Sequence, residues 1–293
     1  MSGERIEVAV LGGDGRQQVA AERLRRAGCT VATWGLNEGD TERPSMRSVR
    51  AILLPLPPSV DGETVAAPLC PNAEPWRFSE LAAELPRGTL ICGGRIPAAW
   101  KSRAQRGGLE VFDYTEDEGF CVRNALPTVE GAILLALEAL PRTLSGATVL
   151  VTGYGRIASL LADRLRALGA QTAVLARRER DLAAATVRGH RAIPLEAGRP
   201  ITLPPDCRAV FNTVPSPILE ATRQGDLPRG CVYLELASPP GGMTRTLAEQ
   251  LGLRYIHGGG LPGRCFPESA GETVAETVLS RLQAEDRKGD LPC

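Results

Sequence analysis

The chain predicts an α/β protein of two doubly wound, parallel-sheet domains, Rossmann-like in kind and joined by crossing helices. Three observations carry this. Short apolar runs alternate with helical segments along the chain, the pattern of a parallel sheet covered on both faces. A glycine turn follows the first apolar run, at Gly12-Gly13-Asp14-Gly15. A second follows the run Thr148–Thr152, at Gly153-Tyr154-Gly155. At 293 residues there is enough chain for two separate cores.

The first domain is expected over residues 1–125, a flavodoxin-like or Rossmann-like substrate domain. Residues 6–11 read as its first strand, followed by a helix reaching Ala27. Further strands are expected at 30–34, 51–54, 89–92 and 109–112, with proline-broken loops at 55–58 and 68–75. Asp14 stands where a pyrophosphate would sit and would repel it, and Gln18 replaces the small residue a dinucleotide turn needs. Arg16 beside it makes a mixed site able to hold a carboxylate and orient a proton. The plainer reading is a helix cap at Asp14 with a solvated Arg16.

A linking helix is expected within residues 126–144, starting at Pro127 with Thr128 or Asn124 as its cap, and apolar over 132–140. Glu130 then lies in the first turn, as a catalytic carboxylate or as a charge stabilising the helix dipole.

The second domain is expected over residues 145–270. Gly153 allows a tight turn, Gly155 lets backbone approach a pyrophosphate, and Ala158 lets the helix pack on its strand. The helix start offers N–H groups to the anion, so Gly153, Tyr154, Gly155, Arg156 and Ile157 are read as cofactor-binding. The next strand ends at Ala176 without the carboxylate an NAD site would carry, and Arg177 and Arg178 follow. Two guanidinium groups there suit a 2′-phosphate, so NADP is expected over NAD, against the alternative of a solvated basic loop. Later strand ends carry small or rigid residues: Thr213-Val214-Pro215, Ala237-Ser238 and the stretch from Gly258 to Gly263. Such residues let backbone pass close to a flat ligand. A last helix over 271–284 is expected to return to the first domain, followed by a frayed tail over 285–293.

Composition excludes other classes. Lys plus Arg equals Asp plus Glu at 34 each, so no field attracts nucleic acid or acidic membrane. No apolar stretch reads as a membrane span, and the charged start of the chain is not a signal peptide. Eight cysteines without a C-x-x-C pair suggest reduced thiols in a cytoplasm, and two histidines, His190 and His257, exclude a multi-histidine metal centre. No metal site is expected.

The motifs Gly12–Gln17, Pro127-Thr128-Val129-Glu130-Gly131, Asn212-Thr213-Val214-Pro215, Leu236-Ala237-Ser238 with Gly241-Gly242, and Gly260-Leu261-Pro262-Gly263 occur in one order along the chain. Together they resemble the family of dipicolinate synthase A subunits, with a more distant likeness to D-2-hydroxyacid dehydrogenases. The resemblance implies a cytoplasmic enzyme of the mother cell in a sporulating bacterium, acting with the flavoprotein-like B subunit of dipicolinate synthase. It implies NADP-dependent aromatisation of a dihydrodipicolinate-type ring, derived from 4-hydroxy-tetrahydrodipicolinate, to dipicolinate. A homo-oligomer is expected. The chain departs from the hydroxyacid dehydrogenases by carrying Glu268 where their histidine stands and no arginine over 237–242.

On this reading Asp14 and Glu130 are the candidate catalytic groups. Gly13, Arg16, Gln17, Asn124, Pro127, Thr128 and Gly263 are the candidate substrate contacts, with Arg123 and Arg264 as further anchors. His257 is an acid–base candidate or a structural histidine. Two alternatives stand beside this reading: an NADP-dependent dehydrogenase of another cyclic or keto acid, and a non-catalytic NADP(H)-sensing subunit.

Overall fold

The computed structural model describes residues 7–196, 206–219 and 228–289. The described residues divide into two compact units, one of Met1–Asn124 with Phe266–Cys293 and one of Ala125–Cys265.

In chain order the first unit holds β1 (Glu7–Leu11), α1 (Gly15–Arg26), β2 (Thr30–Trp34), β3 (Ala51–Leu53), α2 (Phe78–Glu84), β4 (Leu90–Gly93), α3 (Ala98–Arg106) and β5 (Glu110–Asp113). All pairings are parallel, in the order β2-β1-β3-β4-β5. Alternation along each strand splits the core in two. Val8, Val10, Ala51, Leu53, Leu90 and Cys92 pack on one face of the sheet. Ala9, Leu11, Ile52, Leu54 and Ile91 pack on the other, against Trp34, Trp76, Phe78 and Trp100. The order reverses between β1 and β3, so the carboxyl ends of these two strands form the switch point where such sheets bind ligands.

Helix α4 (Glu118–Ala139) corrects the sequence reading. It begins nine residues before the expected start at Pro127, with Asp117 as its cap: the Asp117 carboxylate accepts from the Phe120 N–H at 2.6 Å. Pro127 lies inside it rather than at its start, and neither Thr128 nor Asn124 caps it. Proline removes one intrahelical donor, but Ala125, Val129, Ala132 and Ala136 are buried on either side of it. Burial of that face outweighs the local loss. Glu130 is therefore mid-helix and exposed, and the first-turn dipole reading lapses. By length and composition alone α4 also passes for a membrane span, with mean hydropathy 1.4, which corrects the expectation that no stretch would. Taking Pro127 as a helix start hides this in the sequence.

The second unit continues with β6 (Thr148–Thr152), α5 (Arg156–Ala167), β7 (Gln171–Ala176), α6 (Glu179–Val187), β8 (Arg191–Pro194), β9 (Cys207–Asn212), β10 (Val232–Glu235), α7 (Arg245–Gln250), β11 (Arg254–His257) and α8 (Leu261–Cys265). Its sheet is parallel, in the order β11-β10-β9-β6-β7-β8, with the switch point between β6 and β9. The sequence reading passes over β8, a short strand half-exposed on its inner positions.

Helix α9 (Pro267–Gly289) then packs in the first unit, where Val274, Ala275, Val278 and Leu282 join the core beside Ala20, Ala21 and Leu24. It starts four residues earlier and ends five later than expected. The supposed frayed tail is helical through Gly289, with Arg281 paired to Glu285 at 2.6 Å and Arg50 to Asp286 at 2.5 Å. Residues 290–293 of that tail lie outside the described residues.

The α1–α9 contact is close enough to require glycine at 271. A Cβ there would stand 2.5 Å from the Arg16 carbonyl oxygen and 2.7 Å from Val19 Cβ. Alanine in a helix interior normally adds about 1 kcal/mol over glycine. We expect Gly271→Ala to destabilise instead, by about 1–3 kcal/mol in denaturant unfolding, because backbone must move to admit the methyl. A raised midpoint would contradict this packing.

Candidate functional site

The two glycine turns look alike in sequence and differ in what meets their helix. In the first unit Asp14 is the N-cap of α1. Its carboxylate accepts from the Arg16 N–H at 3.0 Å, and the Gln17 side-chain oxygen accepts from the Asp14 N–H at 3.1 Å, closing a capping box. Gly15 is covered as well, since a Cβ there would lie 3.1 Å from Pro267 Cβ at the start of α9. The turn is filled by the protein itself.

The Arg16 side chain folds back onto the same carboxylate. Its Nε lies 2.9 Å from Asp14 Oδ1 and its Nη2 lies 2.8 Å from Oδ2, while Nη2 also donates to the Leu56 carbonyl at 2.7 Å. Arg16 is only 7 % exposed, which corrects the picture of a solvated arginine. Burial alone would raise the Asp14 carboxyl, but the hydrogen bonds and charge of Arg16 outweigh it and hold Asp14 below the usual carboxylate range. A depressed carboxylate is a weak base, so the geometry suits Asp14 to holding Arg16 rather than to taking a proton. Arg16 Nη1 has no hydrogen-bond partner among the described residues. The guanidinium is thus fixed between the ends of β1 and β3, at the switch point, with Nη1 left without a partner among the described residues. Tyr114 lies nearby, fully buried, and burial pushes its hydroxyl up.

The other expected substrate contacts fall on both units. Gly13 is buried at φ +106, and a Cβ there would strike the Gln17 side chain. Asn124 is half-buried in α4, while Pro127 and Thr128 are buried there. Gly263 sits half-buried in α8. Arg123 is exposed and donates to the Thr277 hydroxyl at 3.2 Å. Arg264 lies 3.2 Å from the Gly259 carbonyl. His257 is exposed at the end of β11, and the buried histidine is His190, between the Thr172 hydroxyl at 2.5 Å and Asp163 at 2.9 Å.

In the second unit the turn is open. Gly153 has φ +81, and a Cβ there would meet Thr213 Oγ1 and Val214 Cγ2 at 3.0 Å, so glycine is required for the turn. Gly155 caps α5 without any side-chain hydrogen bond, and a Cβ on it would meet nothing within 4 Å. Arg156 is exposed, Ile157 half-buried, and the Tyr154 ring lies edge-on to His190 with centroids 6.4 Å apart. Ala158 is fully buried against the strand. Arg177 and Arg178 follow β7 directly, both exposed and without an ion pair among the described residues. Open space at Gly155, an uncapped helix and these two cations fit a dinucleotide with an anionic adenosine end.

Sequence reasoning missed what holds the neighbouring strand ends. Thr152 Oγ1 donates to Asn212 Oδ1 at 2.5 Å, and Asn212 Nδ2 donates to the buried Glu235 carboxylate at 2.6 Å. Glu235 accepts also from Tyr233 Oη at 2.9 Å, from the Ala237 N–H at 3.0 Å and from the Gly242 N–H at 2.8 Å. Thr213 is tied to Thr152 through its N–H and its hydroxyl, at 3.2 and 2.7 Å. Val214 shares Asn212, through its N–H at 3.2 Å and its carbonyl at 3.0 Å. Pro215 is exposed beyond them, and Ser238 half-buried. A carboxylate inside the apolar run Val232-Tyr233-Leu234-Glu235-Leu236 was the available signal. Among the described residues no His, Cys, Asp and Glu group could hold a metal, and the seven described cysteines are free.

The Asp14–Arg16 pair sets a pH dependence. A carboxyl depressed by folding adds stability that is complete above its unfolded value near 3.8 and is lost as pH falls through the lower folded value. Asp113, held low by Thr115 and Lys101 against the effect of burial, follows the same sign. Asp14→Asn should lower Tm at neutral pH and flatten its fall between about pH 4 and pH 2, leaving the shares of the other depressed carboxyls, Asp113 among them. An unchanged acid limb in thermal scans would remove the pairing from the account.

This geometry has counterparts in known proteins. Residues 7–115 match the family model of the N-terminal domain of the dipicolinate synthase A subunit. The chain is 29 % identical over 290 residues to the dipicolinate synthase A subunit of Bacillus subtilis (strain 168), covering 96 % of each. It superposes on the crystal structure of dipicolinate synthase, A chain, from Bacillus subtilis with a TM-score of 0.82 at 26 % identity, covering 98 % of both chains. A transhydrogenase from Sinorhizobium meliloti shares the fold alone, with a TM-score of 0.62 at 16 % identity over 94 % of this chain and 85 % of that one. Along nearly its whole length the chain is thus similar in sequence and fold to the dipicolinate synthase A subunit of Bacillus subtilis, and its residues 7–115 match that subunit's N-terminal domain.

Proposed function

We propose that the chain is the NADP-dependent oxidoreductase component of a dipicolinate synthase, converting a dihydrodipicolinate-type ring to dipicolinate in the cytoplasm of a sporulating mother cell, together with a partner B subunit. The observation that carries this reading is the pairing of an open turn at Gly155 with exposed Arg177 and Arg178 at the end of β7. When bound, the nicotinamide supplies the hydride acceptor. The N–H groups of the first turn of α5 would hold the pyrophosphate, and Arg177 and Arg178 the 2′-phosphate. Thr213, Val214, Pro215, Ala237 and Ser238 border the ring end of the same site.

Asp14 orients Arg16, and Nη1 of Arg16, which has no partner among the described residues, takes one substrate carboxylate. Aromatisation removes two hydrogens, one as hydride from a ring carbon and one as a proton. Glu130, the exposed carboxylate of α4, is the group proposed to accept that proton. Gly13, Gln17, Asn124, Pro127, Thr128 and Gly263 are proposed to shape the substrate's surroundings.

The test is dipicolinate absorbance on feeding enzymatically generated 4-hydroxy-tetrahydrodipicolinate to the purified chain, alone and with its B partner. Turnover requiring NADP⁺ is expected; absence of turnover in both conditions would leave a sensing role instead. Arg16→Ala should raise KM and lower kcat, since a loosely held ring is poorly aligned. Glu130→Gln should lower kcat by about 10²–10⁴-fold with cofactor affinity unchanged, and normal kcat would acquit Glu130.

Arg177→Glu and Arg178→Glu should each weaken NADP⁺ selectively, by roughly 1.5–3 kcal/mol, and leave NAD⁺ nearly unaffected. Equal affinity of the unmodified chain for NADP⁺ and NAD⁺ in calorimetry would overturn the cofactor choice.

A further inference from the structure

Glu235 is 3 % exposed, and four donors surround its carboxylate: Asn212 Nδ2, Tyr233 Oη and the N–H groups of Ala237 and Gly242. An ionised carboxylate accepts only, and four such bonds fill its sites, so the arrangement is that of a buried negative charge. Among the described residues no cation pairs with it. Arg245 is engaged elsewhere, over the Tyr255 ring at 4.7 Å and beside Glu249 at 3.8 Å. A buried charge without a counter-ion is costly to the fold and calls for a reason.

Its position supplies one. Glu235 ends β10, next to Asn212 at the end of β9, on the far side of the switch point from β7. With the pyrophosphate at α5 and the 2′-phosphate at the end of β7, the adenosine half of a dinucleotide would lie over β6 and β7. The nicotinamide half would then fall to the ends of β9 and β10. The oxidised nicotinamide ring carries a positive charge that the reduced ring lacks. In a site of low polarity a fixed negative charge discriminates between the two.

We propose that Glu235 biases the bound cofactor toward its oxidised form, acting as the missing counter-ion to the nicotinamide ring while its hydrogen bonds hold the loops after β9 and β10 in place. The carboxylate of Glu235 is taken up by protein donors, so it acts through charge and through Asn212, Ala237 and Gly242. The inference rests on the cofactor reading above and deepens it, since a site that favours the oxidised form captures NADP⁺ and releases NADPH, while making hydride transfer on the protein itself less downhill.

The test is the ratio of dissociation constants for the reduced and oxidised cofactor, from calorimetry of NADPH and NADP⁺ on the full chain. The unmodified protein should bind NADP⁺ at least as tightly as NADPH. Glu235→Gln, which keeps shape and removes charge, should shift the ratio about tenfold toward NADPH. Tyr233→Phe removes one hydrogen bond and keeps the charge, so it should lower Tm and leave the ratio alone.

A ratio within twofold of the unmodified protein in a folded Glu235→Gln variant overturns the proposal, as does an equal shift in Tyr233→Phe. If Glu235→Gln does not fold, the unmodified ratio decides, and NADPH bound more than threefold tighter than NADP⁺ overturns it. Failure of the unmodified chain to bind either form would instead refute the cofactor reading itself.

Discussion

Each helix that follows a first strand leaves N–H groups at its start that need an acceptor, and how they are satisfied decides what each unit of this protein does. In the first unit the protein satisfies them. The Asp14 carboxylate and the Gln17 amide close the start of α1, and α9 covers Gly15. In the second unit no side chain caps α5, and the space beside Gly155 is open. The same strand–glycine–helix design thus yields a closed turn that fixes an arginine and an open one suited to an anion from outside.

The remaining architecture supports these two arrangements. Parallel order brings the functional strand ends of each unit to one edge of its sheet, and the order reversal leaves a gap there. Arg16 bridges that gap in the first unit by reaching the Leu56 carbonyl. In the second, the chain Thr152–Asn212–Glu235–Tyr233 spans β6, β9 and β10 and pins the loops that follow them. A satisfied buried network of this kind holds backbone in one arrangement more sharply than apolar packing does.

Much of this was legible in the sequence. Apolar runs bounded by glycine marked the strands, because a doubly covered strand must be apolar and its turn must admit φ > 0. The glycine turn at 153–155 was legible for the same reason, as was the Asp14 anomaly in the first. Helix α4 was misplaced because Pro127 reads as a helix start, whereas burial of Ala125, Val129 and Ala132 carries the helix through it. The tail was read as frayed because its polar residues gave no hint of the ion pairs that Arg50 and Arg281 make there. The Glu235 network escaped notice because its meaning lies in contacts between distant strands, which spacing along one strand does not show.

The central claim is that the turn at Gly153–Ile157 receives the phosphates of a dinucleotide. Calorimetric titration of NADP⁺ into the unmodified chain and into Gly155→Val tests it most directly. Gly155 has φ −84 and an open Cβ direction, so valine leaves the fold and Tm close to those of the unmodified protein. The account predicts that the variant loses at least about tenfold in NADP⁺ affinity, which is about 1.4 kcal/mol or more, because the side chain takes the place of a phosphate. Equal NADP⁺ affinity in the two folded proteins would contradict it.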